Sequence, residues 1–184
     1  MSSQRERAFP VGFEVDLILD RVKSGDRVVY LNSCACLPLY QQLLTVVGEA
    51  NIRTTGRVHE FIGVEDDWAS LVVGQCVLDE FHDLSEGASE ISRVLSRGGT
   101  ALLSGPVSRN QKLKFDRHGK PPQVFFPLRE VETALLQHGL RLSQTHKLTE
   151  QIKIELSRSE RVSSLDFDSS MDYVLIGATK ITGS

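Results

Sequence analysis

The chain has 184 residues, of which 40% are hydrophobic and 24% charged, and its formal net charge is -3. This composition is typical of one globular domain, here residues 1–184, and it excludes a strongly basic nucleic-acid-binding domain. No run of about 18 apolar residues occurs, which excludes a spanning helix, and residues 1–12 form a polar tail without the apolar stretch of a secretory signal. Three cysteines are too few for a disulfide framework, so we expect a cytoplasmic protein with no membrane partner.

In the first half of the sequence, segments whose apolar residues recur with the spacing of a helix alternate with short apolar segments typical of strands. Apolar residues at positions 15, 18, 19 and 22 lie on one helical face, and short runs rich in β-branched residues are typical of buried strands. This pattern predicts helices over 15–22 and 39–47, and strands over 27–31, 57–64 and 69–77.

The second half continues the alternation and then ends in strands. It predicts a helix over 88–95 closed by Gly98 and Gly99, a strand over 100–104, a helix over 128–138, and strands over 140–148, 152–156 and 173–179. Alternating strands and helices imply parallel crossover units and a three-layer α/β sandwich. Because no helix separates the last strands, we expect the final strand of a mostly parallel sheet to be antiparallel.

One segment, residues 108–122, stands apart by its charge. Its five cations against the single acid Asp116 leave a local charge of +4; they are Arg109, Lys112, Lys114, Arg117 and Lys120. The segment is predicted to be a surface loop, either merely solvated or able to dock an acidic protein partner. Phe115 is its only aromatic residue, which gives little stacking support for binding nucleic acid.

The middle of the chain resembles class I S-adenosylmethionine methyltransferases. Residues 69–73 resemble the fourth strand of that fold, and residues 88–103 resemble its signature of a helix with an arginine, a glycine pair and a strand. The resemblance implies a Rossmann-like sheet. It says little about the reaction, because the signature concerns the fold.

The turn after the first strand differs from that family. Active members have a glycine-rich turn there, since the bound cofactor lies close to the backbone. Here the turn contains no glycine and consists of Asn32, Ser33, Cys34, Ala35 and Cys36. Tyr30 replaces the acid usual at the end of that strand, and only 32 positions separate Cys36 from Trp68, which predicts a shortened middle. The resemblance therefore implies a degenerate loop and no bound cofactor.

A methyltransferase-like chain with these features resembles the N-terminal domain of the anamorsin family. The matching residues are 56–58, 90–95, the pair Gly98-Gly99, and 105–107. The resemblance implies a non-catalytic protein-interaction domain in cytosolic iron–sulfur cluster assembly, with a diflavin reductase as partner. In that family the clusters are held by a C-terminal cysteine-rich region, and three cysteines cannot supply four thiolate ligands here.

The alternative is an active S-adenosylmethionine-dependent methyltransferase with a degenerate cofactor loop. Asp79, Glu80 and His82 follow the strand over 69–77 and are its candidate catalytic residues, because paired acids beside a histidine can act as a general base. The same residues are typical of a solvated loop. Cys34, Cys36 and Cys76 are interpreted as small packing residues, and no metal site is expected.

Overall fold

A computed structural model of the chain describes residues 12–31, 37–55, 63–117, 120–151 and 170–181. In chain order the elements are α1 (Gly12–Leu19), β1 (Val28–Leu31), α2 (Leu37–Val47), a 3-10 turn (Glu49–Asn51), β2 (Ile52–Thr55), β3 (Ala69–Gly74), α3 (Leu84–Val94), β4 (Leu95–Ser108), β5 (Leu113–Arg117), β6 (Lys120–Phe125), α4 (Leu128–Gln137), β7 (Leu140–Lys147) and β8 (Met171–Lys180).

Six strands form the central sheet, in the order β2-β1-β3-β4-β8-β7. The pairs β2–β1, β1–β3 and β3–β4 are parallel, whereas β8 runs antiparallel to both β4 and β7. The predicted α/β class, with a mostly parallel sheet and an antiparallel final strand, is therefore confirmed.

The alternating side chains of the strands divide the core into two layers. Val28 and Tyr30 of β1 pack with α1 and α2 on one face of the sheet. Val29 and Leu31 face the other way and pack in the layer of α3 and α4. This period of two follows from the pleat of a strand, and it gives the three layers of the predicted sandwich.

The connection between β2 and β3 is short, as the shortened middle predicts. It spans residues 56–68, and its described part, 63–68, contains no helix or strand. Most of the strand predicted over 57–64 lies outside the described residues, and the second strand is instead β2, just before it. The strand predicted over 152–156 also lies outside the described residues.

The basic segment 108–122 is not an irregular loop. Strand β4 continues to Ser108, beyond the predicted end at residue 104, and β5 and β6 then pair as an antiparallel two-stranded sheet. The prediction of a surface loop over 108–122 is wrong because its main signal, the pair Pro121 and Pro122, is compatible with a strand as well as with a loop. Proline is tolerated in edge strands, where its missing amide proton breaks no ladder bond.

Candidate functional site

The chain changes direction across the sheet between β1 and β3. These strands are parallel neighbours, with Leu31 paired to Gly74 at their carboxyl ends. The helix after β1, α2, packs on one face of the sheet, and the helix after β3, α3, packs on the other. In open α/β sheets such a divergence leaves a crevice at the carboxyl ends of the strands, and ligands bind there. The glycine-free turn, residues 32–36, follows β1 in the sequence and lies outside the described residues.

Five buried polar side chains meet at this carboxyl edge, and we call them the edge cluster. Each has at most 5% of its surface exposed; they are Glu14, Gln75, Cys76, Ser104 and Tyr173. They come from α1, from the turn directly after β3, from β4, and from the start of β8. Tyr173 pairs with Pro106, which lies beyond Ser104 in β4, so β8 brings the phenol to the same edge.

Glu14 is the acceptor at the centre of the edge cluster. Its Oε2 accepts hydrogen bonds from Gln75 Nε2 at 3.1 Å and from the Tyr173 hydroxyl at 3.2 Å. A buried carboxylate requires hydrogen-bond donors of this kind, because burying it without them would raise the free energy of the fold by roughly several kcal/mol. The two bonds therefore fix the carboxylate of α1 against the ends of β3 and β8.

Tyr173 connects Glu14 to the rest of the edge cluster. Its hydroxyl lies 3.0 Å from Cys76 Sγ and 3.3 Å from Ser104 Oγ, and Ser104 Oγ accepts the Cys76 backbone N–H at 3.0 Å. Burial raises the pKa of the Tyr173 phenol well above 10, and the neighbouring Cys76 and Glu14 raise it further. The phenol is therefore neutral at physiological pH and keeps the proton that it donates to Glu14.

The backbone at Cys76 is also unusual. Its φ is +53°, which a residue with a side chain rarely adopts. Such conformations cost about 1–3 kcal/mol and occur most often at functional sites. The turn after β3 is held in this form by the bonds from Cys76 to Ser104 and Tyr173.

The candidate catalytic residues Asp79, Glu80 and His82 are not brought into the edge cluster. Asp79 is half-buried and its Oδ2 accepts a short hydrogen bond from Gln123, which ties the loop after β3 to β6. Glu80 is half-buried as well. His82 is exposed and lines an open cleft of about 540 Å³ beside α3 and α4, on the face of the sheet opposite α1.

The basic candidates differ in their surroundings. Arg109 Nη2 lies 3.0 Å from Asp172 Oδ1, so its charge is compensated within the fold. Lys112 Nζ lies 4.3 Å from the centre of the Phe126 ring, and both Lys112 and Lys114 are exposed. The side chains of Arg117 and Lys120 lie outside the described residues. Among the described side chains of this segment, Arg109, Lys112 and Lys114 are therefore exposed cations, and the binding of an acidic partner stays a prediction.

The described residues contain no group of three or more His, Cys, Asp or Glu side chains arranged to hold a metal ion. None of their helices has the length and apolar character needed to span a bilayer.

No protein-family model and no curated protein matches the chain. Solved structures do match. A geranyl diphosphate methyltransferase in complex with S-adenosylmethionine is 16% identical, with a TM-score of 0.71 over 92% of this chain and 85% of that one. A geranyl diphosphate C-methyltransferase from Streptomyces coelicolor A3(2), in complex with S-adenosylhomocysteine, is 14% identical, with a TM-score of 0.68 over 92% and 79%. The [4+2]-cyclase SpnF is 14% identical, with a TM-score of 0.67 over 93% and 82%.

These similarities establish the class I methyltransferase-like, Rossmann-like fold. They also correct the expectation that the chain takes no cofactor, which is wrong: two of these structures of the same fold contain the methyl donor or its demethylated product. That expectation depended on the missing glycines at 32–36, on Tyr30 in place of the usual acid, and on the shortened middle of the chain.

Proposed function

We propose that the chain is an S-adenosylmethionine-dependent methyltransferase that binds its cofactor in the crevice between the carboxyl ends of β1 and β3. The edge cluster is the observation that carries this proposal. It places a buried carboxylate, a phenol and a thiol at the divergence point of the sheet, where the fold binds ligands. Structural neighbours that hold S-adenosylmethionine or S-adenosylhomocysteine support it.

The side chains of the edge cluster fit a cationic methyl donor. S-adenosylmethionine supplies a methyl group on a positively charged sulfur, and the acceptor gains that methyl while losing a proton. Glu14 places a carboxylate at this edge of the sheet, and it and its polar neighbours are buried. Excluding water strengthens electrostatic interactions with the bound groups.

Calorimetric titration with S-adenosylmethionine and S-adenosylhomocysteine tests the proposal. We expect one site per chain with micromolar affinity for both ligands, and at 100 times Kd the bound ligand should stabilise the fold by about 2.7 kcal/mol. Adenosine and methionine, titrated separately, are the controls for weak binding of either half of the cofactor. A protein that shows no heat and no shift in unfolding temperature at millimolar ligand would contradict the proposal.

Methyl transfer requires a separate measurement, because the same fold also serves a [4+2]-cyclase. Release of S-adenosylhomocysteine should depend on an added acceptor, and geranyl diphosphate is a first candidate because two neighbours are described as geranyl diphosphate methyltransferases. Binding of the donor with no transfer to any acceptor would limit the proposal to cofactor binding.

A second candidate function is a protein-docking role in iron–sulfur cluster assembly, of the anamorsin type, with a diflavin reductase as partner. Exposed Lys112 and Lys114 beside the paired strands β5 and β6 are the observation in its favour, since clustered cations attract an acidic surface. This role is compatible with cofactor binding by the same domain.

Reversing the charges of Lys112, Lys114 and Arg117 to glutamate tests that second candidate. We expect the affinity for a diflavin reductase to fall about tenfold at low salt, and its salt dependence to flatten. Reversal of three other cations, Lys23, Arg97 and Arg141, changes the net charge equally at the opposite edge of the sheet. If both triple variants lower the affinity equally, or if neither lowers it, the basic segment is not part of the interface.

A further inference from the structure

We propose that the open cleft beside α4 binds a small organic anion, a molecule that carries a carboxylate or phosphate group on an elongated apolar body. The cleft lies on the face of the sheet opposite α1, so it is separate from the crevice proposed for the cofactor. The inference therefore does not rest on the proposed function, and each of the two can fail without the other.

The size and shape of the cleft suit a small molecule. Its volume is about 540 Å³, and pockets that bind small molecules typically have about 300–1,000 Å³. Two of its walls are the loop after β3 and one face of α4. On α4 the lining runs from Arg129 to Gln137, a length of about 12 Å along a helix. An elongated ligand can therefore lie along α4.

Two cations of the cleft have no acidic partner. Lys112 and Arg129 are exposed, and neither forms an ion pair with a carboxylate of the described residues. Lys112 Nζ lies 4.3 Å from the centre of the Phe126 ring. Arg129 Nη2 donates to the carbonyl oxygen of Asn110 at 3.4 Å. These contacts position the two side chains without neutralising them, and cations that line a cleft attract anions.

The cleft also contains two acids, which act differently. Asp83 Oδ1 accepts hydrogen bonds from the backbone N–H groups of Ser85 at 2.7 Å and of Glu86 at 3.1 Å, so this carboxylate caps α3. Glu130, in the first turn of α4, is exposed and opposes the binding of an anion. The cleft thus offers two cations against one acid that caps no helix. Removing the charge of Glu130 should strengthen the binding of an anion.

The rest of the lining suits an apolar body. Leu84 is half-buried, Phe126 and Ala134 are buried, and all three line the cleft with apolar atoms. Ser85 lines it as well, and its Oγ lies 2.8 Å from His138 Nε2. A simple inorganic anion would leave the apolar surface without a partner. We therefore expect an anion with an apolar body to bind more tightly than inorganic phosphate.

The experiment is a ligand titration followed by amide nuclear magnetic resonance, which locates binding at individual residues. The probes are phenylbutyrate and phenyl phosphate, which distinguish a carboxylate from a phosphate ligand. We expect a Kd of about 1 mM for at least one of them, as is typical of ligands with about a dozen heavy atoms. The amide signals of Ser85, Lys112 and Gln137 should shift. Phenylbutanol, which is uncharged, and inorganic phosphate should both bind at least about fivefold more weakly.

Charge variants of exposed residues test the electrostatic part of the inference. Lys112→Gln and Arg129→Gln should each lower the affinity for the bound anion about threefold, in the range of exposed ion pairs, and the double variant about tenfold. Glu130→Gln should raise it about twofold. Arg141→Gln is the matched control, because Arg141 is an exposed cation of β7 that does not line the cleft, and it should leave the affinity unchanged.

Several results would overturn the inference. Phenylbutanol binding as tightly as the anions, or an equal loss in Arg141→Gln and Lys112→Gln, would show that the cleft does not select a negative charge. Weaker binding to Glu130→Gln would mean that the site prefers a cation. Signal shifts around Leu31 and Gln75 alone would place the probes in the crevice proposed for the cofactor. None of these results bears on whether that crevice binds S-adenosylmethionine.

Discussion

Gly105→Ala is expected to lower the free energy of unfolding by about 3 kcal/mol, near the upper range for overpacking plus backbone strain. Gly105 has a φ of +151°, and an added Cβ would lie 2.9 Å from the backbone nitrogen of Leu78 and 3.0 Å from its Cβ. Because the first of these atoms belongs to the backbone, it cannot rotate away as a side chain could. Urea unfolding of the variant measures the loss.

Gly98→Ala is the matched control for that prediction. Gly98 also has a positive φ, +75°, but no atom lies within 4 Å of an added Cβ. It should therefore show strain without a clash, and a loss of about 1 kcal/mol. Equal losses for the two variants would show that Gly105 is needed only for its conformation. A larger loss at Gly105 should be accompanied by weaker cofactor binding, since Leu78 belongs to the turn that carries Gln75 and Cys76.

Tyr173→Ala is expected to destabilise the chain by about 3–5 kcal/mol, as is typical for removing a buried aromatic side chain. Tyr173 is fully buried, and its ring packs in the layer of α1 and α2. Tyr173→Phe keeps the ring and removes the hydroxyl that Glu14 accepts from, so we expect a loss of about 1–3 kcal/mol. Thermal and urea unfolding of both variants measure these losses.

The comparison of the two Tyr173 variants separates packing from hydrogen bonding. Tyr40→Ala provides a control at a half-buried tyrosine on α2, where the loss should be smaller than at Tyr173. A Tyr173→Phe variant as stable as wild type would contradict the view that the hydroxyl satisfies the buried carboxylate. A loss as large as that of Tyr173→Ala would mean that the ring itself contributes little.

The fold was largely predictable because its elements are marked by local patterns. Apolar positions at the helical period and short β-branched runs follow from which faces contact the sheet, so α1 to α4 and most strands were found within a few residues. The pair β5 and β6 was missed because charged residues and two prolines mark loops and edge strands alike. Only the pairing partner decides between them, and the local pattern does not show it.

The edge cluster could not be predicted in the same way. Its members come from positions 14, 75, 76, 104 and 173, and only the strand order of the sheet brings them together. One signal was present, because Glu14 lies one helical turn before Ile18, on the apolar face of the first helix. A carboxylate on a buried face requires a polar partner from elsewhere, and that requirement identifies Glu14 as a candidate site residue.

A crystal structure of the chain with S-adenosylhomocysteine bound tests the central proposal most directly, because it shows where the ligand lies. We predict the ligand between Leu31 and Gln75, on the side of the sheet where α1 carries Glu14. Its appearance instead in the cleft beside His82 and Arg129, on the side of α3 and α4, would contradict the proposed site. So would a ligand-free crevice in crystals grown at a saturating concentration.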